Sequence, residues 1–186
     1  MFSFLLSVNR NLPDFENICY LCFFIIVSMK ARVRYSSFCW WLTGIITAVL
    51  VGLCVLTVNE IAVFCLMLLM ALCVVVAGLL FGPVAIEANA ENVIIRCALR
   101  RKLIPVSDIE SVKLFQPTMG AIRICGSGGY MGYWGTFREG DIGKYHAYYG
   151  KASDCFLVNL KSGKKYLLGC ENPKAIVDYI NSLINS

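Results

Sequence analysis

Phe38–Val58 reads FCWWLTGIITAVLVGLCVLTV and Ile61–Phe81 reads IAVFCLMLLMALCVVVAGLLF, with only Asn59 and Glu60 between them. Each run is 21 residues long and carries no charge. At 1.5 Å per residue, a helix of either run reaches roughly 31 Å, which matches a hydrocarbon core of about 30 Å. A single helix through both would be about twice too long for a bilayer, so the pattern predicts a helical hairpin over residues 38–81. Leu, Ile, Val and Phe supply 11 positions in the first run and 13 in the second. At roughly −0.3 to −0.6 kcal/mol each near mid-membrane, both favour insertion.

The flanks set an orientation. Lys30, Arg32 and Arg34 precede the first run, and Arg96, Arg100, Arg101 and Lys102 follow the second, whereas the turn between holds no Lys or Arg. Basic residues stay on the cytoplasmic side, so both termini are expected there, with Asn59 and Glu60 outside. Within the first run Gly44, Ala48 and Gly52 recur every fourth residue and line one helix face. Small residues let a partner backbone approach closely. That partner is the second run or, in a homo-oligomer, another copy of the chain; packing within the hairpin is the simpler choice.

Outside these runs the chain changes character. Of 186 residues 58% are hydrophobic and 16% charged, against roughly a quarter charged in soluble domains. From Phe38 to Ile86 the one charged side chain is Glu60; beyond, charges recur at short intervals. The final stretch, residues 84–186, is long enough for one small domain with its own core. Before Met29, the apolar run Ile18–Val27 is too short to span, and neither a basic start nor a cleavage site marks a secretory signal. Met29 opens MKARVRY, so residues 1–28 read as a doubtful extension ahead of the real initiator.

Ten cysteines give no disulfide or metal framework. Cys19, Cys22, Cys39, Cys54, Cys65 and Cys73 sit in apolar runs, and Cys97, Cys125, Cys155 and Cys170 are singletons. The C-x-x-C of Cys19 and Cys22 lacks the second pair or histidine that a zinc site needs. The reading is reduced, structural thiols, with no metal and no cofactor.

From Val84 the pattern becomes β-like: Val84–Ala88, Val93–Ala98, Lys102–Val106, Ile109–Phe115, Ala121–Cys125, Lys144–Tyr149, Cys155–Leu160 and Lys165–Leu168. Lys161-Ser162-Gly163-Lys164 is a hairpin turn with glycine supplying positive φ. Asn172 and Pro173 open a helix whose apolar stripe is Ile176, Ile180, Leu183 and Ile184, with Val177 beside it. Seven or eight short antiparallel strands closed by a terminal helix make a small-barrel plan.

The run Gly126-Ser127-Gly128-Gly129-Tyr130-Met131-Gly132-Tyr133-Trp134-Gly135 resembles the signature of a family of bacterial pleckstrin-homology-like (PH-like) domains that often follow transmembrane helices. The helix start at Asn172-Pro173 and the strand Cys155–Leu160 are similar to that family's C-terminal half. The resemblance covers about Val84 to Ile184. It implies a membrane two-helix hairpin followed by an α+β domain, a PH-like split antiparallel β-barrel capped by the C-terminal helix, at the bacterial inner membrane. It implies little about activity, because fold does not determine function.

Candidate sites follow from residue type. Gly126, Gly128 and Gly132 miss the dinucleotide spacing by one position, and no strand–helix–strand unit surrounds them. Glycines there permit a bend or bulge while Tyr130, Tyr133, Trp134 and Phe137 pack on the domain; alternatively an aromatic loop lies at headgroup level. Arg96, Arg100, Arg101 and Lys102 are either a solvated strand face or a contact for anionic lipid, each worth on the order of 1 kcal/mol near the membrane surface. The stretch from Val84 has 13 basic and 9 acidic residues, net +4. That is too light for the basic stripe of a nucleic-acid binder. His146 sits in an aromatic run, Glu139, Asp141 and Asp154 in loop-like contexts, and no nucleophile pattern appears. The expectation is a non-catalytic binding module that meets a protein partner at the membrane, with anionic headgroup recognition through residues 96–102 as the alternative.

Overall fold

The computed structural model of the chain describes residues 29–118 and 120–184. The reading of residues 1–28, with Cys19 and Cys22, falls outside the described residues. Two long apolar helices, α1 (Ser37–Leu56) and α2 (Ile61–Phe81), are long and apolar enough to cross a membrane. Ser36 caps α1, its Oγ accepting the Cys39 N–H at 3.3 Å. α1 ends two residues before Val58, where the Thr57 hydroxyl donates to the Leu53 carbonyl at 2.9 Å and the chain turns. Leu50 and Cys54 of α1 share an apolar seam with Leu68, Ala71 and Val75 of α2. Most of the other apolar side chains on both helices are exposed.

The β-rich part forms two sheets. The first runs β1 (Met29–Arg32), β2 (Pro83–Ala88), β3 (Asn92–Cys97) and β4 (Arg101–Pro105), in that order and antiparallel throughout. Strand β1 lies where the sequence showed only a basic flank. It pairs with β2, so the helical hairpin leaves and re-enters the sheet between two neighbouring strands. The β2–β3 turn is held by the Asn89 side chain, whose Oδ1 accepts the Asn92 N–H at 2.6 Å.

The second sheet contains β5 (Ile109–Leu114), β6 (Ile122–Gly129), β7 (Gly132–Glu139), β8 (Gly143–Tyr149), β9 (Cys155–Leu160) and β10 (Lys165–Gly169), ordered β5-β9-β10-β8-β7-β6. The sheets do not close into a barrel: Pro105, which has no N–H to donate, ends β4, and one 3-10 turn, Val106–Asp108, carries the chain into the other sheet. Nor are all strands antiparallel, because β10 enters between β9 and β8 and runs parallel to β8, Tyr166 opposite His146. The glycine-rich run is also no loop but the facing strands β6 and β7.

Helix α3 (Pro173–Ile184) buries Ile176, Val177 and Ile180, as its spacing predicts. Asn172 ahead of it adopts φ 54°, a left-handed conformation that asparagine tolerates. Ile176 and Ile180 join Ile86, Val93 and Ile95 of the first sheet and Phe156, Val158 and Leu168 of the second in one core. Each such side chain contributes about 1.5–3 kcal/mol. The other face of the second sheet carries a smaller cluster of Phe137, Tyr145, Ala147, Tyr149, Leu157 and Leu167. Strands β9 and β10 are therefore apolar on both faces, which is why CFLVNL shows little alternation.

Candidate functional site: the junction of helices and sheets

The glycines of the β6–β7 hairpin solve a packing problem. Gly126 and Gly135 stand opposite each other with φ of 121° and 120°, and a Cβ on either would run into the partner strand's backbone. Their close approach brings the tip, Tyr130 and Met131, to the ends of the long helices. Met131 takes φ 49° and Gly132 φ 93° to make the turn. The Tyr130 carbonyl accepts from the Ser127 hydroxyl at 2.9 Å and from Trp134 Nε1 at 3.1 Å, which fixes the tip from inside.

The tip then meets both helices. The Met131 N–H donates to Thr43 Oγ1 of α1 at 2.9 Å. Its thioether lies so close to Gly78 of α2 that a Cβ there would overlap the sulfur. Trp134 stacks on Phe81 with centroids 5.4 Å apart, and Tyr133 stacks on Tyr149 at 4.7 Å. The Tyr35 hydroxyl donates to the Pro83 carbonyl at 2.5 Å, and burial pushes that phenol up to about 12. Tyr130, Tyr133 and Trp134 are thus all engaged within the chain. Phe38, Trp40 and Trp41, in the first turns of α1, are exposed rings at this level.

A model of the bacterial PH domain family matches residues 84–184, more than half of the chain. The chain belongs to the bacterial PH domain family. Comparison with curated proteins finds no match, and comparison with solved structures finds none. In this bacterial PH domain the sheet extends beyond the matched residues, since β1 precedes the helices.

The structure sends Arg96, Arg100, Arg101 and Lys102 to different surroundings. Arg96 Nε lies 2.5 Å from Glu87 Oε2, and Lys30 Nζ lies 3.9 Å from the other oxygen of the same carboxylate. Lys102 points the opposite way, its Nζ 4.5 Å from the Tyr166 ring centroid. Arg100 sits over Phe81 at 5.7 Å, and Arg101 is exposed. What sequence proximity hid is a row across the outer face of the first sheet: Arg32, Ala85, Arg96 and Arg101 are successive cross-strand partners on β1 to β4. The period of two along a strand separates Arg101 from Lys102 and would have shown it.

Gly44, Ala48 and Gly52 are exposed, and a Cβ at either glycine would meet nothing within 4 Å. Their face does not pack on α2, so the intramolecular choice made from the sequence is not what the helices do. Glu139 is 4% exposed and not in a loop. It ends β7 and accepts the Thr118 N–H at 2.8 Å and the Thr118 hydroxyl at 2.5 Å. Among the described residues no group of His, Cys, Asp and Glu is arranged to hold a metal ion. Thr43, Gly78 and Met131 were missed as a set; a threonine and a late glycine inside otherwise apolar runs were the available signal.

Proposed function

We propose that the chain is a non-catalytic binding module, held by its helices in the bacterial inner membrane with both termini cytoplasmic, whose PH domain engages a protein partner or assembly at the membrane surface. The family supports a binding role. The observation that carries a protein partner is the open edge of the second sheet. Among the described residues strand β6 is outermost, and Ile122 and Ile124 on it are 68% and 55% exposed. A bare strand edge offers unpaired N–H and C=O groups to an added strand, and apolar side chains beside them give specificity. Tethering keeps such a partner at high effective concentration. The exposed face of Gly44, Ala48 and Gly52 leaves room for a second copy of the chain in the membrane.

A photo-crosslinking residue at Ile124, in native membranes, tests this reading. Adducts at Ile124 that are absent at Ser162, in the distal β9–β10 turn, support it. Equal labelling at both positions would remove β6 as the contact. A second reading, recognition of anionic headgroups, is favoured by Arg32 and Arg101, the exposed arginines of the cross-strand row. Binding to phosphatidylglycerol vesicles that fades with salt supports it; binding indifferent to lipid charge removes it.

A further inference from the structure

The tip of the β3–β4 turn is tied to the second helix at three points. The Leu99 N–H donates to the Leu79 carbonyl at 3.1 Å. The Cys97 thiol donates to the Phe81 carbonyl at 3.6 Å, and the Arg100 guanidinium lies over the Phe81 ring. Leu79 is two residues inside the last residue of α2, or about 3 Å along the helix axis. Leu99 therefore sits at the depth of the helix's final turn, yet its side chain is 64% exposed. Val84, on the strand that leaves the helix, is also exposed, as are Trp40 and Trp41 in the first turns of α1.

An exposed leucine at that depth, followed by two arginines, has the chemistry of an interfacial contact. The apolar side chain suits the acyl boundary, and guanidinium groups bond phosphate oxygens with planar, paired donors. We infer that the β3–β4 turn is a shallow lipid contact: Leu99 enters the boundary between acyl chains and headgroups, while Arg100 and Arg101 bind phosphates of anionic phospholipids in the same leaflet. The inference rests on the reading that α1 and α2 span a bilayer. The occupant is lipid because the turn is continuous with the helix end and lies beside whatever surrounds it. Arg96 and Lys102 take no part, being held by Glu87 and by Tyr148 and Tyr166. Together with Met131 at the other side of the junction, the contact fixes the tilt of the PH domain on the membrane.

The test uses the full chain with an environment-sensitive fluorescent residue at Leu99, reconstituted in vesicles of equal parts phosphatidylglycerol and phosphatidylcholine. Lipids brominated near the headgroup quench a probe that reaches the boundary. Quenching at Leu99 should exceed that of the same probe at Ser162 several-fold, and should fall in pure phosphatidylcholine and in the R100Q/R101Q double variant. R101Q alone, at an exposed position, should give a partial fall without disturbing the fold. Quenching at Leu99 no greater than at Ser162, in protein that resists alkaline carbonate extraction, overturns the inference while the membrane anchor stands. Strong quenching that ignores both lipid charge and the arginines overturns the phosphate assignment. Release of the chain by carbonate overturns the anchor, and this inference with it.

Discussion

Val33 donates its backbone N–H to the carbonyl of Val84 at 2.9 Å, joining the chain just before the first long helix to the chain just after the second. The PH domain is thus a discontinuous unit, with β1 contributed from the far side of a 45-residue helical segment spanning 37–81. A polypeptide that starts at Val84 loses β1 and the buried Val33, which alone contributes about 2 kcal/mol. It also bares the edge of β2. Urea unfolding should show that polypeptide far less stable than one in which a short glycine-serine linker replaces the helices and joins Ser36 to Pro83. Equal midpoints would mean that β1 adds nothing.

The facing glycines give a second prediction. Gly126→Ala places a methyl group against the Trp134 carbonyl at φ 121° and should cost about 1–3 kcal/mol. Gly140→Ala, where a Cβ meets nothing within 4 Å, serves as the control and should be nearly silent. Denaturant midpoints of the two variants in detergent check this directly.

Thr43→Val keeps the shape of the side chain but takes away the acceptor of the Met131 N–H. An amide left without a partner there costs about 1–3 kcal/mol. Hydrogen exchange at the Met131 amide should accelerate, while amides of the distal β9–β10 hairpin stay unchanged. Unaltered exchange at Met131 would show that the tip is held without this bond.

His146 supplies a pH dependence. It stacks on Tyr166 with centroids 5.3 Å apart, and burial, then Lys102, Lys144 and Lys164, pull its pKa below the ordinary 6.5. The fold therefore favours neutral imidazole, and the unfolded chain takes up the proton first as pH falls. The stability this provides is present above 6.5 and is lost as pH drops through that value toward the lower native one. His146→Gln should flatten the decline of Tm between neutral and mildly acidic pH. A slope identical to that of the parent protein would exclude His146 as its source.

Much of this architecture is legible in local pattern. Two uncharged runs, the α3 stripe of Ile176 and Ile180, and the Gly163 turn all announce themselves within a few residues. Strand β1 does not, because its alternation is only four residues long and its partner strand lies beyond both helices, so Lys30 and Arg32 read as a basic flank. Only the start of β6, through Cys125, reads as strand in the sequence; composition hides the rest of the β6–β7 hairpin, since glycine weakens strand propensity and a run of it suggests a bend. Its strand character comes from the cross-strand approach of Gly126 and Gly135, which is a tertiary fact. The basic cluster misled in another way: Arg96 to Lys102 are neighbours along the chain, but the pleat and the turn send them to Glu87, Phe81, solvent and Tyr166.

The pairing of β1 with β2 also bears on how the protein is made. Strand β1 leaves the ribosome first and waits while both helices are synthesised, because its partner emerges only after residue 83. If, as proposed, the helices cross a bilayer as a pair, the two strands return to the same side and the ladder closes. Should only one helix enter the bilayer, β1 and β2 would be stranded on opposite sides, and the core would lack a wall. On the proposed membrane topology, completion of the first sheet therefore depends on both helices crossing together, because β1 lies before them and β2 after them.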